Sequence, residues 1–197
     1  MENILNKRQK RAKIVASSLQ LFSKHGFYKT TMRDIANNLG ISEGSLYNHF
    51  PSKMSLATAA ISHVTGKLAV DLRYINSKPI SATKKICEFV KSYFSFIQKN
   101  PEMVEYFFQV YLSNREIFCE EEDCGFSLAK EFIEELEILI DYGVKNNEFT
   151  QKNFFIAFSS IMGILGSITF LRNENVLEKE LENYCEDLAN AICRTLN

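Results

Sequence analysis

Only three prolines, Pro51, Pro79 and Pro101, interrupt a chain of 197 residues, and between them apolar residues recur at steps of three and four. Long stretches without strong breakers, carrying that period, have one economical solution: helices that each bury one face. An all-α fold is therefore expected. Hydrophobic residues make up 46% of the chain, ample for a packed core. The opening MENILNKRQKRAK is polar and basic and has no apolar stretch of the kind a secretory signal needs, so a cytoplasmic location is expected. The five cysteines form no CxxC pair, which indicates neither a disulfide framework nor a standard zinc site; no cofactor or metal is expected.

Ile14, Val15, Leu19 and Phe22 predict an amphipathic helix over 7–25, stopped by Gly26. Thr31 reads as the N-cap of a second, short helix with Asp34 in its first turn and Ile35, Ala36 and Leu39 inward, ending at Gly40. Ser42 caps a third helix, closed by Pro51 and Ser52. Two short helices around a glycine turn make the helix-turn-helix pattern of DNA readers, weak evidence on its own. Side chains sharpen it. With Ile41, Leu46 and Phe50 turned to the core, Glu43, Gly44, Ser45, Asn48 and His49 face outward, with Tyr47 at the edge. Hydroxyls, an amide and an imidazole can bond phosphates or base edges, and small Gly44 and Ser45 let the backbone approach closely.

Charge divides the chain in the same place. Residues 1–53 hold nine Lys/Arg against three acids, a net +6, and the remainder holds 14 against 21, a net −7. A basic start on a near-neutral chain is the electrostatic footprint of a nucleic-acid-binding module, and a solvated basic arm is the bland alternative.

KIVASSLQLFSKHGFYKTTMRDIANNLGISEGSLYNHFPSKMSL resembles the DNA-binding domain of the TetR family of bacterial transcriptional regulators, following its LF…G(F/Y)…TT…DIA…G(I/V)S.G.LY.HF.SK pattern almost throughout. Ser17 and Ser18 depart from it where small apolar residues are usual, as do Pro51 and Met54. The resemblance implies phosphate contacts for Thr31, Arg33, Tyr47, His49 and Lys53, and positions facing bases for Ser42, Glu43, Gly44, Ser45 and Asn48. Thr31 and Ser42 are helix caps in either case. Glu43 is the odd member: an acid near phosphates either accepts from a cytosine amino group or discourages non-specific binding.

A long helix from Ser52 to Tyr74 should join this module to the rest, with further helices at 81–99, 101–113, 125–147, 151–172 and 175–196. The expected division is a helix-turn-helix domain over 1–50 and a ligand-binding and dimerisation domain over 51–197. In the resembling family the second domain holds a ligand pocket. His63, Phe89, Tyr93, Phe107 and Tyr111 are its candidate lining for a small apolar effector, the alternative being that these rings fill the core. Phe154 to Leu171 runs 18 residues without a charge, the length of a membrane span. Its serines and glycines favour instead a helix buried on most sides, with no membrane partner. Family resemblance makes it half of a homodimer interface, with Gly163 and Gly166 allowing close approach and Leu181, Tyr184 and Leu188 on the final helix.

No GxSxG, glycine-rich phosphate loop or HExxH appears, so no enzyme is indicated. The expected partners are a double-stranded DNA operator, an effector and a second copy of the chain, as a repressor. A redox- or metal-sensing regulator using Cys119 and Cys124 is the alternative.

Overall fold

The computed structural model describes residues 2–101, 106 and 127–197. Among them every regular element is helical: α1 (Glu2–His25), α2 (Met32–Leu39), α3 (Glu43–Tyr47), α4 (Lys53–Asn76), α5 (Ala82–Lys99), α6 (Lys130–Lys145), α7 (Phe154–Asn173) and α8 (Cys185–Thr195), with a 3₁₀ turn over Leu181–Tyr184. The chain forms two compact units, Met1–Gly66 with Asn100–Lys130, and Lys67–Lys99 with Glu131–Asn197. The division falls inside α4. The first unit thus reaches beyond residue 50, because Leu56, Ala57, Ala60 and Ile61 on the first half of α4 are fully buried in it.

In the first unit α1 buries Ile14, Val15, Leu19 and Phe22, and it ends where Gly26 takes φ +80°. Thr31 and Asp34 form a reciprocal capping box on α2, a device for two otherwise unpaired backbone N–H groups. Gly40 ends that helix in the left-handed region at φ +65° and returns its N–H to the carbonyls of Ala36 and Asn37, a conformation that a side chain would strain. The two serines that depart from the family pattern are satisfied: Ser18 Oγ donates to the Val15 carbonyl (2.7 Å), and Ser17 Oγ accepts from Asn38 Nδ2 (2.9 Å), tying α1 to α2. Tyr106 lies stacked on Phe22, its hydroxyl donating to the Ala57 carbonyl at 3.0 Å, and burial pushes its pKa up.

In the second unit α5 is central, burying Ile86, Phe89, Val90, Tyr93, Phe94, Phe96 and Ile97, and α8 packs against it. Charged groups close its ends. Glu148 accepts from the backbone N–H of Ala82 (2.8 Å) and Thr83 (3.0 Å), capping α5 from a distant loop. Arg73 Nε donates to Glu135 (2.6 Å), joining the end of α4 to α6, and buried Lys85 donates to the Asn76 carbonyl (2.7 Å) beneath the Tyr142 ring. The expected final helix over 175–196 begins only at Cys185. Asn175 takes φ +55°, which breaks the chain after α7, and the turn at Leu181–Tyr184 leads into α8. The helix expected at 101–113 lies outside the described residues apart from Pro101 and Tyr106.

Within its own chain α7 is buried on one face. It is the one helix among the described residues long and apolar enough to cross a membrane, with mean hydropathy 2.0, yet only 28% of that window is buried in the chain. One face, Ala157, Ile161, Leu165, Ile168 and Thr169, packs inward; Phe155, Ile156, Phe170 and Leu171 are exposed.

Candidate nucleic-acid interface

α3 is a short helix presented by its own underside. Leu46 is fully buried and so is Phe50 just beyond it, each worth about 1.5–3 kcal/mol of burial, while Ile41 is half-buried. Ser42 Oγ accepts from the Ser45 N–H at 3.2 Å and starts the helix. Regular α-helix ends at Tyr47, earlier than Pro51: Asn48 still returns its N–H to the Gly44 carbonyl at 3.1 Å, and the His49 N–H turns to the Leu46 carbonyl at 3.0 Å, a tightened final turn. What remains outward is as the alternation of types implies. Ser42, Gly44, Tyr47 and Asn48 are exposed, and Glu43, Ser45 and His49 half-buried. A side chain at Gly44 would meet nothing within 4 Å, so this surface is open to a close partner.

Thr31, at the head of α2, is exposed with its hydroxyl engaged by Asp34, whose carboxyl is held below its ordinary pKa first by that hydroxyl and next by the Thr31 N–H. Three cations take partners that spacing did not predict. Arg33 Nε donates to Glu43 Oε1 at 2.8 Å, and this bond, with the Glu43 charge, raises the guanidinium pKa. Lys53 turns its ammonium inward onto the carbonyls of Phe27 (2.8 Å), Thr30 (3.0 Å) and Tyr28 (3.4 Å), over the Phe27 ring, and desolvation lowers its pKa. Arg11 reaches from α1 to the far end of α3. Its Nη1 donates to the His49 carbonyl at 2.7 Å and its guanidinium lies 4.0 Å from the centre of the Phe50 ring. Nothing in the order of residues singled out Arg11 from its basic neighbours; a cation one helix away from an aromatic at a helix C-terminus is the only trace. Lys7, Arg8, Lys10 and Lys13 stay exposed along the same helix.

The other candidates fall in both units or outside the described residues. Phe89 and Tyr93 are packed in the second unit, Phe89 6.1 Å from Phe132 and the Tyr93 hydroxyl bonded to Thr169 Oγ1 at 2.8 Å. His63 is half-buried in the first unit. Phe107, Tyr111, Cys119 and Cys124 lie outside the described residues. Gly163 is exposed on α7 and Gly166 half-buried; Tyr184 and Leu188 are half-buried, whereas Leu181 is packed inside its own chain at 3% exposure.

Residues 14–60 match the family model described as bacterial regulatory proteins, tetR family. The HTH-type transcriptional regulator YerO of Bacillus subtilis (strain 168) is 41% identical over 58 residues, 29% of this chain and 20% of its own length. The chain spans between a fifth and a half of the curated relatives it matches. Whole-chain likeness comes from solved structures. The transcriptional regulator FadR from Bacillus subtilis in complex with stearoyl-CoA superposes with a TM-score of 0.80 at 15% identity, over 94% of this chain and 99% of that one. A TetR family transcription regulator from Marinobacter aquaeolei VT8 gives 0.79 at 16% identity, over 100% and 98%. Family pattern and helix-turn-helix geometry agree over residues 14–60, which match the tetR family of bacterial regulatory proteins, and the all-helical fold of the whole chain is that of the solved regulators.

Proposed function

We propose that the chain is a cytoplasmic, ligand-responsive transcriptional repressor that binds a pseudo-palindromic operator as a homodimer and is released by a small apolar effector. The observation that carries this reading is the outward face of α3: small, hydroxylated and amide side chains, open above Gly44 and held from below by Leu46 and Phe50. Such a face enters a major groove with Ser42, Glu43, Gly44, Ser45 and Asn48 toward base edges and Thr31, Tyr47 and His49 toward phosphates. Residues 1–50 carry these contacts, and 51–197 carry effector and partner contacts. Two-fold symmetry sets the two recognition helices about 34–36 Å apart, one helical repeat of DNA.

A second copy of the chain is the proposed cover for α7. Its exposed Phe155, Ile156, Phe170 and Leu171 flank a middle kept small by Ser159, Gly163 and Ser167, so a second helix approaches closely there. An acyl thioester is the effector class favoured by the stearoyl-CoA complex of the similar FadR. To release operator it must bind the conformation without DNA more tightly, since a ligand shifts an equilibrium only by its differential affinity.

The test is fluorescence anisotropy with duplexes selected from a randomised 30-bp library, with and without stearoyl-CoA. Tight, salt-dependent binding that the thioester weakens is the expected result. A protein that ignores all duplexes at low ionic strength overturns the regulatory reading; operator binding untouched by acyl thioesters overturns the effector class alone.

A further inference from the structure

Arg33 and Glu43 stand on different helices of the candidate DNA surface, ten residues apart, yet their side chains meet at 2.8 Å. Both are substantially exposed, at 75% and 40% of the side chain, and an ion pair that wet adds little to folding stability. The buried stripes of α2 and α3 and the turn at Gly40 already hold the two helices together. The pair therefore calls for a reason other than stability. Its chemistry supplies one. A carboxylate on a guanidinium reproduces the charge and geometry of a phosphate contact, so within the free protein Arg33 already has the partner that DNA would offer.

We propose that Glu43 is a specificity-determining residue that acts as an internal competitor for Arg33, suppressing binding to arbitrary DNA; this rests on the DNA-binding reading above. On an arbitrary duplex, Arg33 gains a phosphate only by giving up Glu43, and the released carboxylate is left facing backbone phosphates. The exchange brings no net charge to the interface. On the right sequence the released carboxylate accepts from an exposed amino group on a base edge, cytosine N4 foremost, so both members of the broken pair find partners. Discrimination is then built from a repulsive element as well as an attractive one. The two readings of Glu43 left open by the sequence become two halves of one device.

The experiment measures the affinity of the full chain for a random-sequence 30-bp duplex and for a duplex selected with the wild-type protein, between 50 and 200 mM salt. Glu43→Gln keeps the side-chain length and removes the charge. Each effective phosphate contact contributes about 0.9 to the slope of log affinity against log salt, so one cation freed of its competitor strengthens random-duplex binding about eightfold near 0.1 M salt and steepens the slope by about 0.9. Selected-duplex affinity should rise less or fall, shrinking the specificity ratio, and reselection with Glu43→Gln should lose a cytosine preference once per half-site. Arg33→Ala alone should weaken random binding, and Arg33→Ala with Glu43→Ala should restore it to within about twofold of wild type, the net-neutral pair having been removed whole. Random-duplex binding by Glu43→Gln that is unchanged or weaker than wild type overturns the inference, the latter making Glu43 a support for Arg33. Should the wild type itself bind no duplex, it is the regulatory reading that fails, and the two failures are distinguishable.

Discussion

Lys53 separates what family resemblance implies from what its own surroundings do. As a phosphate clamp, its ammonium would point away from the protein; instead it sits on three carbonyls of the segment joining α1 to α2, at 2.8, 3.0 and 3.4 Å. Replacement by methionine keeps the apolar stem against Phe27 and deletes the charge. The two shorter bonds are charge-assisted, a class worth about 1.5–3 kcal/mol each when well protected, and solvent access at this half-buried site reduces each to about 1 kcal/mol. Lys53→Met should therefore cost about 2 kcal/mol, which at a typical urea dependence of about 2 kcal/mol per molar lowers the unfolding midpoint by about 1 M. Its random-duplex affinity, measured where the variant is still folded, should keep the wild-type salt slope. A midpoint within about 0.2 M of wild type, together with a slope smaller by about 0.9, would refute the inward assignment and restore the phosphate contact.

Tyr47→Ala should weaken binding to all duplexes in the anisotropy assay and reduce the salt slope, whereas Ser45→Ala should mainly change the sequence recovered by selection; equal losses on selected and random duplexes in both would mean the roles are misassigned. Arg11→Ala, which removes the bond to the His49 carbonyl and the cover of Phe50, should cost about 1 kcal/mol in urea unfolding. Phe155→Asp with Phe170→Asp should turn a dimer into a monomer in sedimentation equilibrium; a persisting dimer would place the interface elsewhere. Glu148 is pulled two ways: burial, the largest single influence, raises its pKa, but the N–H groups of Thr83 and Ala82, the Thr83 hydroxyl and Lys85 together hold it below its ordinary 4.5. A carboxylate whose folded pKa is depressed contributes its full stability above the unfolded value and loses it as pH falls through the folded one. The melting-temperature gap between wild type and Glu148→Gln should thus be constant at neutral pH and narrow below about pH 4.5.

Patterns that act over one or two turns of chain were legible in the residue order. The cap at Thr31, the left-handed stop at Gly40, the inward stripe of Ile35, Leu46 and Phe50 and the outward Ser42, Gly44 and Asn48 each follow from neighbours three or four residues away, and local geometry enforces them. The final helix was less legible. Val176, Leu177 and Leu181 continue a helical spacing, but Asn175 at φ +55° breaks the chain before them, and periodicity alone is blind to one residue that tolerates the left-handed region.

Long, flexible charged side chains were the least legible, and for a common reason. Arg11, Arg33 and Lys53 sit in one basic segment, and charge counting treats them alike as candidates for phosphate. Each can sweep several ångströms, so its partner is decided by whichever acceptor the fold leaves nearby: a helix-end carbonyl for Arg11, a carboxylate for Arg33, three turn carbonyls for Lys53. Those acceptors lie between 10 and 38 residues away in sequence, beyond any helical period. The formal +6 of the first 53 residues therefore overstates the charge free to meet DNA. The Arg33–Glu43 pair is already netted within that sum; of what remains, one unit is directed into the fold at Lys53, and another braces the end of α3 through Arg11. Under the proposed reading the other exposed cations of α1, Lys7, Arg8, Lys10, Lys13 and Lys24, supply the undirected attraction. On that same reading, affinity and sequence choice reside on different elements: a basic helix that attracts any duplex, and a short, nearly uncharged one whose single acid opposes the wrong sequence.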